Sequence, residues 1–213
     1  SVADVFAVAK TNGYYPLYIS HGHPREVMNP DREKYEKTTP ASIMRMLRQT
    51  GGIFGLRTLH EETRTYTPSG VDNNCHGSSR SFAQALAFAS AGIKVPVALG
   101  SDFNGYIQQT RPRFGDLGAC SAGFRAEGDA QAAAQTGRGG GDYDEKGLSH
   151  VGLLPDFLRD LRRVGAHTDP LLQSAEAFIR MWERATGSRT GMADPATDID
   201  TSGLAPYVAK ATR

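Results

Sequence analysis

Three short runs of apolar residues, each preceded by a helical pattern, set the narrowest limit on what this chain can fold into. "YPLYISH" (15–21), "IFGLRT" (53–58) and "KVPVALGSDF" (94–103) are nearly continuous in apolar or small residues and do not alternate with polar ones. Strands of that kind are covered on both faces, which calls for helices packed on a parallel sheet. The helical patterns fall between them. Residues 2–11 place Val2, Val5, Phe6 and Val8 or Ala9 on one face, and Asn12-Gly13 stops the run. Pro40 opens a helix over "ASIMRMLRQT", with Ile43, Met44, Met46 and Leu47 as its apolar stripe and Gly51-Gly52 at its end. "SFAQALAFASAG" (81–92) is a third, rich in small residues. The order α-β-α-β-α-β predicts an α/β fold.

Residues 105–147 break this rhythm with a long Gly-, Ala- and Gln-rich excursion, read as a surface loop. Order returns in "LLPDFLRDLRRVG" (153–165), whose Leu154, Phe157, Leu158 and Leu161 share an inward face. "DPLLQSAEAFIRMWERATG" (169–187) follows with an Asp-Pro start, and residues 188–213 read as a surface tail. One domain over 1–187 accommodates all of this. A hydrophobic share of 39% is enough for its core, while 24 glycines announce much irregular backbone.

A net charge of +1 removes any electrostatic case for nucleic acid or an anionic membrane, and no apolar run reaches the length of a membrane span. Cys75 and Cys120 fit either one disulfide or two free thiols, with the balance slightly towards thiols, so the compartment stays open. The chain starts at Ser1 without an initiator Met, which reads as a processed chain or a fragment.

Two strand ends carry groups that handle protons or metals: His21 after "LYIS" and Asp102 after "VALGS". Sites in parallel α/β folds form at the carboxyl ends of the strands, so both point to one rim. An imidazole and a carboxylate there suit a zinc site with a proton-accepting acid beside it. Each alone has a plainer reading, a hydrogen-bonded interior histidine and a turn-capping aspartate. His23, two residues beyond His21, is a weaker ligand candidate. Arg57 ends the second strand as a charge on an otherwise apolar run, and salt-bridged rim residue and anion site are equally good readings of it.

"ISHGHPR", "GGIFGLRT", "VPVALGSDFNG" and the closing "LSHVGLLPDFLRDLRRVG…LLQSAEAFIRMWERATG" together resemble the second half of the membrane (renal-type) dipeptidases, which belong to the amidohydrolase-like metal-dependent hydrolases. The resemblance implies the C-terminal part, about strands six to eight with flanking helices, of a (β/α)8 TIM-type barrel. It implies a site of two zinc ions that hydrolyses a dipeptide or related amide with hydroxide held by the metals. His21 then matches a zinc ligand at the end of strand six. Asp102 matches the strand-eight aspartate, which moves a proton to the scissile nitrogen and holds the substrate amine. Lys37, with Arg32 nearby, falls where the family has an arginine that grips the substrate carboxylate, and Asn104 stands where many relatives carry a second Asp. Together with Arg57 and the excursion, these departures point to a substrate other than a plain dipeptide.

The family's His-x-Asp motif, its bridging Glu and a further histidine have no counterpart among these residues. His60, His76, His150 and His167 are not placed to replace them. Three strands cannot close an eight-stranded barrel. The expectation is therefore a companion chain carrying the N-terminal barrel half, with self-association left open. Two other readings compete: a degenerate barrel that binds or assembles without catalysis, and a hydrolase using Ser1 as an N-terminal nucleophile.

Overall fold

The computed structural model describes residues 2–11, 15–29, 38–58, 60–106, 109–115, 117–120 and 141–187. Arg32, Lys37, Ser1, the middle of the excursion and the tail 188–213 lie outside them. The helices are α1 (Val2–Thr11), α2 (Ala41–Thr50), α3 (Ser79–Ala87), α4 (Gly141–Lys146), α5 (Leu154–Arg163), α6 (Asp169–Leu172) and α7 (Ser174–Ala185). The strands are β1 (Tyr18–Pro24), β2 (Thr38–Thr39), β3 (Ile53–Leu56) and β4 (Val97–Leu99). All three strand pairings are parallel, in the order β2-β1-β3-β4. The protein is thus α/β with a parallel sheet. Among the described residues no helix is long and apolar enough to cross a membrane.

Register assigns the strand residues to faces. Ile19 pairs with Phe54, Phe54 with Val97, and Leu56 with Leu99, so these five share one face. That face carries the core: Phe54, Leu56 and Val97 are buried with Ile43, Met44, Met46 and Leu47 of α2 and Phe82 and Leu86 of α3. Phe82 meets Phe157 of α5 edge to face at 5.0 Å. Burying such side chains stabilises by about 1.5–3 kcal/mol each, so this layer supplies most of the fold's driving force. Gly51 ends α2 in the left-handed conformation (φ 75°), where a side chain would be strained. The Ser78 hydroxyl caps α3 by accepting from the Arg80 N–H. Asp160 of α5, 1% exposed, is bound by Arg113 and the Ser79 hydroxyl, tying α3, α5 and the segment after Thr110 together.

Several details depart from the sequence-based expectation. β1 starts and ends three residues later than 15–21, β3 stops before Arg57, and β4 is shorter than its apolar run. Thr38–Thr39 adds a strand because parallel pairing to His23 and Pro24 stabilises it without any local pattern. The third helix ends in a π-helical turn, Phe88–Ile93, and the last one breaks into α6 and α7 at Gln173. Among the described side chains of α1 only Phe6 and Ala9 are buried, while Val5 and Val8 are exposed. Cys75 and Cys120 form a disulfide, correcting the slight leaning towards free thiols; a small cluster of the two cysteines and Phe114 surrounds it. Part of the excursion is likewise fixed structure: residues 109–115 and 117–120 bond to or pack on the body, and α4 follows.

Candidate functional site

The site is set by a change of register in β1. Ile19 pairs with Phe54 but Gly22 with Leu56, so three steps on β1 span two on β3. Such a bulge re-aims the residues after it. Counted without it, His21 would sit opposite Leu56 and face the helices. With it, His21 and His23 both turn to the other face. The bulge is housed by glycine. A Cβ on Gly55 would lie 2.0 Å from the Ser20 carbonyl oxygen, and one on Gly100 2.4 Å from the same atom. Those two glycines of "IFGL" and "ALGS" leave room for the displaced Ser20 carbonyl.

His21 and Asp102 converge as the sequence predicts. His21 Nε2 lies 4.0 Å from Asp102 Oδ2, and the side chains are 45% and 37% exposed. His21 Nδ1 is 3.0 Å from the Ser20 hydroxyl, which orients the ring. Asp102 itself has φ +52°. A non-glycine residue there is strained, and aspartate is among the few that tolerate it. The left-handed turn swings the carboxylate off the strand direction at the rim.

Beside this pair lies a second, more enclosed one that the sequence did not single out. His23 Nε2 is 3.1 Å from Glu61 Oε2, with side chains 7% and 19% exposed. Burial pushes the Glu61 carboxyl up, but the His23 hydrogen bond and the His23 and Arg57 charges outweigh it. The group therefore lies below the ordinary glutamate range. Ionised Glu61 can only accept, so His23 Nε2 carries the shared proton. His23 Nδ1 is buried without a partner, and so is Arg57 Nε. The spacing His-x-His, with both imidazoles on one side of a strand, was the available clue. Glu61 sits in a loop without local pattern.

The rim is braced from the excursion. The Thr58 hydroxyl donates to Gln109 Oε1 at 2.6 Å, and Gln109 Nε2 donates to the Ser101 carbonyl at 3.0 Å. Thr110 donates its N–H and hydroxyl to the Thr58 carbonyl. These bonds lock the end of β3 to the turn that carries Asp102. Asn104 uses its Oδ1 to accept from the Tyr106 N–H at 2.9 Å, a local turn contact.

An imidazole and a carboxylate 4.0 Å apart have the chemistry of a metal ligand with a proton acceptor beside it. Among the described residues no group of three or more His, Cys, Asp or Glu could hold a metal. Comparison with known proteins returns no family model, curated protein or solved structure that matches the chain.

Proposed function

We propose that this chain is the part of a zinc-dependent hydrolase that carries one metal ligand, His21, and the proton-handling carboxylate, Asp102. The reaction is cleavage of a dipeptide or related amide bond. The convergence of these two side chains on an open rim carries the reading; the resemblance to the dipeptidase family names the chemistry. In this reading the sheet is part of a (β/α)8 barrel, and polypeptide outside these residues supplies the other ligands and strands. The face that bears Tyr18, Ser20 and His21, all exposed, supports that view, because closed barrels fill this space with side chains.

Zinc, when bound, polarises the scissile carbonyl and acidifies water. The chain's own residues do the rest. Ser20 holds the His21 ring so that Nε2 points to the rim. Asp102 Oδ2 accepts the proton of the attacking water and returns it to the leaving nitrogen, leaving an amine and a carboxylic acid. Its left-handed backbone fixes the direction from which it does so.

Asp102→Asn is expected to lower turnover of a dipeptide by roughly 10²–10⁴ while leaving the fold intact. Unchanged turnover would remove Asp102 from the mechanism. His21→Ala is expected to lower bound zinc in elemental analysis of the complete protein, and normal zinc content would make His21 a structural residue.

A further inference from the structure

We propose that Arg57 is an anion-binding residue that takes a carboxylate or phosphate group of the substrate at the carboxyl end of β3. Arg57 is 7% exposed, and its Nε has no hydrogen-bond partner among the described residues. A guanidinium stays charged at every pH at which a protein is folded, so burying it without acceptors is strongly unfavourable. Such a group persists where something else supplies the oxygens.

Register shows from which side that something comes. Leu56 pairs with Gly22 and Leu99 and faces the helices, so the next position, Arg57, belongs to the opposite face with His23. The neighbouring carboxylate acts on the guanidinium only through its charge: Glu61 bonds to His23, and among the described residues no hydrogen bond or ion pair joins it to Arg57. His23 Nδ1 is the second buried atom without a partner there. The two vacancies together describe one kind of ligand: an oxyanion for the guanidinium with a further polar atom for the imidazole. An N-acyl amino acid has a carboxylate and an amide group; a phosphate monoester offers several oxygens in one group.

Calling this ligand the substrate rests on the hydrolase reading; the anion site does not. The test is therefore made on the full protein without zinc. Its thermal midpoint is followed at constant ionic strength while chloride is replaced by N-acetylglycine, glutarate or inorganic phosphate. The midpoint is expected to rise and saturate with at least one of them, and not to move in Arg57→Gln. Arg57→Lys, a point charge without the planar fork, is expected to need roughly tenfold more anion. The anion that saturates lowest distinguishes carboxylate from phosphate. No rise beyond that in chloride, or the same rise in Arg57→Gln, overturns the proposal. Should Arg57→Gln fail to fold, an unchanged half-saturation in Arg57→Lys overturns it as well. Zinc-dependent turnover in a protein without this anion response would sink the anion site and leave the hydrolase reading standing.

Discussion

The two faces of the one sheet are built on opposite principles. On the helix-covered face, Phe54, Leu56 and Val97 are at most 1% exposed and meet side chains of α2 and α3. On the other, Tyr18 is 63% exposed, Gly55 and Gly100 leave room for a displaced carbonyl, and His21 and Asp102 stand at the rim. The first face is complete within the chain and holds the fold together. The second holds polar groups with unfilled valences and little apolar mass. Apolar side chains of α7 border it: Phe178 and Ile179 line a hollow with Tyr18, Ile53 and Ala98, each about half exposed in the helix. A sheet can therefore be stable through one side while the other is free to carry chemistry.

The largest effect that probes this contrast is Phe54→Ala. It is expected to cost about 3–5 kcal/mol in urea unfolding, as a filled site against two helices becomes a cavity. A loss below about 1 kcal/mol would deny that this face holds the fold. Gly55→Ala comes next, at about 1–3 kcal/mol, because the new methyl group collides with the Ser20 carbonyl. A neutral result there would show that the bulge is not held by glycine.

Glu61→Gln is expected to cost about 1 kcal/mol at neutral pH, the scale of one hydrogen bond. Glu61 has a lowered pKa in the folded state, so its ionised form stabilises the fold above the unfolded glutamate pKa of about 4.3. That contribution is lost as the pH falls through the lower, folded value. The gap between wild type and variant should hold down to about pH 4.3 and close below it. A gap independent of pH would remove the His23–Glu61 pair as its source. Smallest is Tyr18→Ser, within about 0.5 kcal/mol, since the ring is largely in solvent. A larger loss would mean that the open face is already covered.

The contrast also divides what could be read in advance. The stripe Ile43, Met44, Met46 and Leu47 and the inward Phe157 and Leu161 were legible because helical spacing is local, and all six are buried. His21 and Asp102 were legible as rim residues because strand ends in parallel folds share one side. The bulge was not, since it exists only in the pairing of residues as distant along the chain as Ile19 and Phe54, beyond any local pattern. Thr38–Thr39 is too short for periodicity. Cys75 and Cys120 meet through tertiary packing across a sequence separation of 45, which composition alone could not distinguish from two thiols. In α7 Phe178, Ile179 and Trp182 are exposed and only Met181 is buried, although all four are apolar. Spacing shows that a helix has an apolar side; it does not show what lies against it.

The three-against-two step in β1 has one more consequence, for heredity. A strand has two reading phases, and one residue of length separates them. Removing a single codon at Ser20 would leave every helix and every other strand as it is. It would bring the two strands into step, two residues against two, and leave His21 and His23 on the face they now occupy. Substitutions elsewhere in the site can be graded in their effect. At this point the gene carries one codon more than the pairing needs, and losing it spares the side of the sheet on which the histidines stand.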